Sequence, residues 1–489
     1  MEDAVSEQAL DRDSGEEQTE LKRVLGPKLL LLFIVGDILG TGIYALTGKV
    51  AGEVGGAVWL PFLVAFTIAI ITAFSYLELV TKYPRAGGAA SFVHRAFEIH
   101  FITFLVTFTV MASGITSAST ASRAFAENMF KGFNWFVGTN AEGDAVVSAG
   151  AISVGALGFI LLVMAVNFRG VAESVKANVV LTLIELSGLL LVIFVGFWAV
   201  AGFSGAEVDF SRITVFESPS GKNAFMAVTA ATGLAFFAMV GFEDSVNMAE
   251  ETHEPSRIFP KVMLTGLLLT AAIYLLVSIT AVALVPVGEL SQGGTPLLTV
   301  VERGAPNLPI DTLYPFIAMF AVANSALINM MMASRLLYGM ANQGVLPKPL
   351  GLVHKARQTP WAAIVFTTAL AAGLILLVTS VSNLGDVTAL LLLAVFSVVN
   401  VACLVLRKDT VEHQHFTAPT ALPVIGALAC AYMVGPWTGR DTSVYAIAGW
   451  LVVIGVALWV VTWFLNRALY AKPTRIKEPE DLGTGGPKV

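Results

Sequence analysis

Residues 29–50 read LLLLFIVGDILGTGIYALTGKV, an apolar run whose only charges are Asp37 and Lys49 and whose glycines fall at 36, 40, 42 and 48. About 20 residues rising 1.5 Å each match a hydrocarbon layer of about 30 Å, so the run has the length of a membrane-spanning helix. It also carries two features that penalise a continuous helix. Glycine in a helix interior costs about 1 kcal/mol relative to alanine, and a carboxylate near the bilayer centre costs about 2.5–3.5 kcal/mol on insertion scales. Two readings account for these penalties. Gly36 and Gly40 form a GxxxG seam that lets helices approach closely. Alternatively, the segment around Gly40, Thr41 and Gly42 is unwound, and its free N–H groups and helix dipole face a cavity able to hold an anionic group. Both can hold at once.

Outward from this run the whole chain has the same character. Of 489 residues 56% are hydrophobic and 13% are charged, against roughly 45–50% and about 25% in soluble domains. More apolar surface is present than a soluble interior of this length can bury. Runs of spanning length recur at 57–80, 99–122, 146–167, 177–202, 224–248, 261–285, 312–340, 361–380, 386–406, 420–437 and 442–466, which predicts an all-α integral membrane protein with twelve transmembrane helices. The 420–437 run is the weakest, with Pro423, Gly426, Gly435 and Pro436, and 312–340 is long enough to tilt. Strand-and-turn alternation at barrel spacing is not seen.

An even span count puts both tails on one side. With that count, Lys49, Arg123, Lys131, Arg212, Lys222, Arg303 and Arg440 fall on one face of the membrane and the other 22 of the 29 Lys and Arg on the opposite face. The positive-inside rule then predicts both termini in the cytoplasm of a multi-pass cell-membrane protein. The acidic stretch 1–28 carries no basic signal-peptide start and reads, like 471–489, as a disordered cytoplasmic tail. Cys403 and Cys430 form no ligand or disulfide pattern and read as core packing. No basic patch suggests nucleic acid, no phosphate loop suggests ATP, and no nucleophile–base pair or metal cluster suggests an enzyme or a cofactor.

The sixth span repeats the feature of the first: Gly233 and Gly241 bracket Leu234 to Val240, and Glu243 and Asp244 follow at once. An interrupted helix opening each half of a chain is the sequence pointer to a transporter's central site. It predicts two five-helix units of opposite topology, 29–202 and 203–410, with helices 11 and 12 (411–470) outside the repeat. Phe236, Phe237 and Phe242 flank the second break and are placed to cap a pocket. Glu185 stands about nine residues into the fifth span, the depth of Asp37 in the first. It reads as a proton relay, a partner for a neighbouring helix, or a contact for a cationic substrate. Ser113, Thr116, Ser117, Ser119 and Thr120 in span three, and Asn324, Ser325, Asn329 and Ser334 in span eight, read mostly as interhelical glue. Glu78, beside Lys82 and Arg85, reads as a cytoplasmic gate or anchoring charge.

Four motifs, GDILGTGIYALTG (36–48), ELVTKYPRAGG (78–88), FFAMVGFEDSVNMAEE (236–251) and SRLLYGMANQGVLP (334–347), resemble the amino acid, polyamine and organocation transporter superfamily. They are closest to its cationic amino acid transporter branch and the bacterial relatives of that branch. The resemblance implies a LeuT-like five-plus-five inverted repeat with discontinuous helices 1 and 6. It places the substrate carboxylate at Gly40, Thr41 and Gly42, and Ile43 beside them is a further candidate contact. The substrate amine goes to the carbonyls of Phe237, Ala238, Met239, Val240 and Gly241; from the polar stretches of spans three and eight, Ser117 and Asn324 are taken as further candidate substrate contacts. Two departures stand out. Asp37 occupies a position that relatives commonly fill with a small apolar residue, and Glu185 occupies one where some proton-coupled relatives have lysine. These two carboxylates are the candidates for ion coupling, with proton ahead of sodium. The expected function is uptake of an amino acid. Exchange of amino acids or polyamines without ion coupling, and a non-transporting receptor or sensor, are the alternatives. Lipid and a small-molecule amino acid are the expected partners.

Overall fold

The computed structural model describes residues 25–84, 87–139, 145–169, 174–218, 222–249, 252–292, 294–307, 309–354, 357, 359–469 and 473–476. Most of the two expected tails, and Arg85, Ala86, Glu250 and Glu251 of the quoted motifs, lie outside the described residues.

The helices in chain order are α1 (Pro27–Ile38), α2 (Thr41–Val54), α3 (Trp59–Lys82), α4 (Gly88–Phe97), α5 (His100–Gly132), α6 (Ala149–Arg169), α7 (Ser174–Val200) and α8 (Ala224–Phe236). They continue with α9 (Pro255–Leu284), α10 (Val287–Leu290), α11 (Pro296–Gly304), α12 (Ile310–Asn342), α13 (Trp361–Leu377), α14 (Val381–Leu406), α15 (Ala421–Val434) and α16 (Thr442–Leu469). One small antiparallel ribbon, Val137–Thr139 with Ala145–Val147, interrupts the all-helical expectation between α5 and α6.

Among the described residues, ten helices are long and apolar enough to cross a membrane, with Pro27–Val54 and Ala224–Met248 each counted as one across a break. The protein is therefore an α-helical integral membrane protein. Two of the twelve expected spans are shorter. The ninth, expected over 361–380, is helical for 17 residues, roughly 25 Å at 1.5 Å per residue, because the chain turns extended at Val378. The eleventh is helical for 14 residues and stops at Gly435. The following Pro436 disfavours helical backbone at the residue before it, and Gly435 is extended with φ −68° and ψ 154°.

The central packing is α12 against α5, the most extensive helix pair, with α14 seated on α5 and α15. Some buried hydroxyls and amides bridge helices, whereas Ser113, Thr120, Asn329 and Ser334 of the two polar stretches bond within their own helix. Thr116 Oγ1 lies 2.7 Å from Thr388 Oγ1 across α5 and α14. Ser75 donates to Asn400 Oδ1 at 2.6 Å, and Asn400 Nδ2 donates to Thr72 Oγ1 at 3.2 Å. Cys403 and Cys430 are buried and free.

The end of the bundle that carries Pro27 is held by Glu78. Its carboxylate accepts from Arg407 Nε at 2.9 Å, from Arg407 Nη2 at 2.7 Å and from the Ala418 backbone N–H at 2.8 Å, which fastens the segment after α14 to the end of α3. Of the two readings for Glu78, these bonds describe an anchor. At the same end, His94 of α4 and His100 of α5 face each other with ring centroids 5.1 Å apart, and His94 Nδ1 lies 3.0 Å from Thr103 Oγ1. At the opposite end Arg440, whose side chain is wholly buried, pairs with Asp386 of α14 at 2.8 Å and donates to the Met433 carbonyl at 2.8 Å. The guanidinium lies over Gly233 of α8, where a Cβ would meet Arg440 Nη2 at 2.7 Å.

Candidate functional site: a cavity between two broken helices

The first break falls where the glycines place it. α1 ends at Ile38, Leu39 closes its last turn by donating to the Val35 carbonyl, and α2 starts at Thr41 after an extended Gly40 with no side-chain cap. The first N–H groups of α2 therefore have no partner within the helix. At the other side of the gap the Tyr274 hydroxyl of α9 donates to the Ile38 carbonyl at 2.5 Å, satisfying one of the orphaned acceptors at the end of α1.

The second break is longer. α8 stops at Phe236, a single 3-10 turn covers Phe237–Met239, Gly241 takes φ +129°, and Asp244–Met248 form a second 3-10 turn rather than an α-helix. A φ of that sign favours glycine, and a Cβ on Gly241 would also lie 2.8 Å from the Asp37 carbonyl carbon and oxygen. Glu243 bends back to accept the Gly241 N–H at 2.9 Å.

The two breaks touch. A Cβ at Gly42 would sit 2.4 Å from Ala238 Cα, so only glycine allows the backbones to approach this far. Gly36 and Gly40 serve packing as well: Cβ atoms there would meet Thr182 Oγ1 of α7 at 2.0 Å and Ser325 Oγ of α12 at 2.3 Å. The glycines of the first span thus serve both a helix break and close packing.

Between the breaks lies a cavity of about 20 Å³, lined by Asp37, Ile38, Gly40, Thr41, Gly42, Ser117, Phe237, Val240, Gly241, Asp244, Ser325 and Asn329. That volume is on the order of one water probe, so the cavity as it stands admits nothing larger than water. Eight of the expected substrate and coupling residues meet on this wall: Asp37, Gly40, Thr41, Gly42, Ser117, Phe237, Val240 and Gly241. The wall carries no lysine, arginine or histidine. Three of its polar atoms, Asp37 Oδ2, Thr41 Oγ1 and Ser325 Oγ, are buried without a hydrogen-bond partner in the protein.

Ile43, Ala238, Met239, Asn324 and Glu185 do not line the cavity. All five are buried. Glu185 of α7 and Asn324 of α12 are neighbours, yet both carboxylate oxygens and both amide atoms lack partners in hydrogen-bonding geometry. The Tyr44 hydroxyl donates to the Glu185 backbone carbonyl at 2.6 Å. Phe237 reaches the wall as expected, whereas Phe236 and Phe242 turn the other way and pack on Phe396, with Phe242 also edge-on to Tyr76. Their part is core packing, because the 3-10 turn rotates Phe237 away from its neighbours. Ser325 and Asn329, read from the sequence mostly as glue between helices, and Asp244, noted there only as one of the acids after the second break, also join the wall. Ser325 and Asn329 fall four residues apart, one helical turn, and that spacing was the available signal.

A multi-pass helical membrane protein with two interrupted helices around a closed polar cavity has the build of a carrier. Comparison with known proteins agrees: the profile of the amino acid permease family matches residues 25–470, and the chain belongs to that family. The chain is 25% identical over 474 residues to a branched-chain amino acid permease of Bacillus subtilis, covering 94% of this chain and 95% of that one. It is 27% identical over 467 residues to a methylthioribose transporter of the same organism, covering 91% and 93%. Human cationic amino acid transporter 4 is 28% identical over 405 residues, covering 80% of this chain and 60% of the human one. The superfamily resemblance carried by the four motifs is thus borne out.

Proposed function

We propose that this permease takes up an amino acid across the cell membrane together with a proton. The observation that carries this reading is the single cavity on which both breaks converge, with unpaired N–H groups at the start of α2 on one side and a carboxylate, Asp37, in the wall. The substrate carboxylate would take the N–H groups of Gly40 to Ile43, where the helix dipole favours negative charge. The substrate amine would take the carbonyls freed between Phe237 and Gly241, with Asp37 and Ser117 beside it. In this scheme all twelve apolar helices cross the bilayer, the two five-helix units are related by inversion, and both termini are cytoplasmic. Ile43, Ala238, Met239 and Asn324 then act without lining the wall, by backbone or by support. Asp37 and Glu185 remain the coupling candidates on their sequence positions.

A second reading is favoured by one feature. Asp37 and Asp244 both line a cavity that offers no cationic side chain, which suits a solute with an additional positive charge, exchanged without ion coupling.

One experiment separates them. Radiolabelled amino acids are offered to sodium-free proteoliposomes holding an inward proton gradient, with and without a proton ionophore. Accumulation abolished by the ionophore supports symport. Uptake that ignores the ionophore and requires unlabelled amino acid inside identifies an exchanger and removes the coupling assignment. No flux under either condition leaves the sensor reading.

A further inference from the structure

Three small cavities stand in file beside the second break. The central cavity shares Val240, Asp244 and Asn329 with a cavity of about 10 Å³ between α5 and α12. That cavity shares Val110, Glu243, Asp244 and Leu336 with a third, of about 20 Å³, which reaches Gly87, Ala89 and Ala90 between α3 and α4. This is the end of the bundle that carries Pro27, and Asp244 alone of the acidic residues lines all three. Each cavity is near the volume of one water, which needs about 10–15 Å³ and two to four polar partners. An amino acid cannot pass here while the helices stand as they do, but each cavity has room for about one water.

Polar partners are present at each station. Asp37 Oδ2, Thr41 Oγ1 and Ser325 Oγ face the first, buried and without protein partners. Ser113 and Asn329 line the second. Tyr76, Thr107 and Asn247 line the third. None of the lining residues is lysine, arginine or histidine, so no fixed positive charge blocks a proton. Glu185 lines none of the three.

We propose that the coupling proton leaves the central cavity for the cytoplasm through Asp244. The proposal rests on the proton-coupled reading above. A proton held on the Asp37 carboxyl passes to water in the first cavity and leaves Asp37 a carboxylate. The Asp244 carboxylate accepts a proton from that water and releases one to water in the third cavity, ending in the form in which it began. Only O–H bonds are exchanged. The titratable groups that line these cavities with Asp244 are Asp37 from α1, the adjacent Glu243 and Tyr76 from α3. Glu243 is already engaged by the Gly241 N–H, so Asp244 is the carboxylate left to carry.

The test reconstitutes the full chain in sodium-free liposomes with a lumenal pH dye and adds a radiolabelled mixture of the twenty common amino acids outside. Protons entering per amino acid entering is the quantity read. The wild type is expected to acidify the lumen. Asp244→Asn is expected to lower the proton ratio at least tenfold, with uptake no longer sensitive to ionophore. Ser113→Val adds a methyl to the middle cavity and touches nothing in the central one. It is expected to slow acidification severalfold with exchange of label unchanged. Acidification in Asp244→Asn at the wild-type ratio overturns the proposal. If that variant neither exchanges nor accumulates, Ser113→Val decides, and acidification at the wild-type rate there overturns it. A wild type that transports without acidifying the lumen sinks the proton-coupled reading itself, an outcome distinct from failure of the Asp244 route alone.

Discussion

Removing one member of the Arg440–Asp386 pair is expected to cost far more than removing both. At 2.8 Å and an effective dielectric of about 20, two unit charges attract by about 6 kcal/mol. Burying them costs several kcal/mol per ion, so the intact pair is close to neutral for stability. Asp386→Leu changes that balance: it strands a guanidinium that is wholly enclosed and keeps one donated bond, to the Met433 carbonyl. An uncompensated buried charge of this kind costs about 3–5 kcal/mol. Arg440→Met combined with Asp386→Leu deletes both charges at similar volume and is expected to lie within about 1.5 kcal/mol of wild type. The assay is reversible unfolding in mixed micelles titrated with denaturing detergent, followed by tryptophan fluorescence, with both single variants and the double. Single losses that add in the double variant would refute the reasoning, because the pair would then be an ordinary sum of packing terms.

Gly42→Ala places its Cβ 2.4 Å from Ala238 Cα, a backbone atom that cannot rotate aside. A loss of stability of about 1–3 kcal/mol and loss of uptake are expected in the same proteoliposome assay, while Gly158→Ala on α6, with nothing within 4 Å, is expected to leave both unchanged. Tyr274→Phe deletes the bond to the Ile38 carbonyl and leaves a buried acceptor at the end of α1; a cost of about 1–3 kcal/mol and weaker substrate binding are expected by denaturing-detergent titration and uptake. Burial, and then the facing His100 ring, hold the His94 imidazole below its usual 6.5. The unfolded chain therefore binds the extra proton between the lowered value and 6.5. Stability from this site is complete above that window and is lost as pH falls through it. Thermal midpoints measured across that window are expected to lose part of their slope in His94→Gln, and an unchanged slope would assign it to other groups.

Much of this was legible in the residues, for reasons that are local. Gly40 and Gly42 beside a membrane-depth aspartate announce a break because the penalties act on the helix that contains them. Gly241 does the same through a φ that other residues resist. The length of α15 follows from Pro436 in the same way. What escaped depends on register between distant segments. Arg440 and Asp386 are far apart in the chain, and nothing near either names the other. Phe236, Phe237 and Phe242 look equivalent as letters, yet one 3-10 turn sends a single ring to the cavity. Glu243 and Asp244 are adjacent acids, and only the hydrogen bond to the Gly241 N–H tells them apart. Glu185 has the depth of Asp37 in the sequence but does not line the cavity, since depth along a helix does not set the direction a side chain points.

The backbone contact between Gly42 and Ala238 bears on leakage. Two independent doors, each opening at random, would sometimes stand open together, and the solute gradient would drain through the gap. Segments that meet without side chains between them cannot shift separately, since any displacement of one is passed to the other. On the carrier reading, a larger side chain at position 42 would do more than slow transport. By prying the two segments apart it would let them fluctuate out of step, and the cell would see a passive conductance where it had a pump.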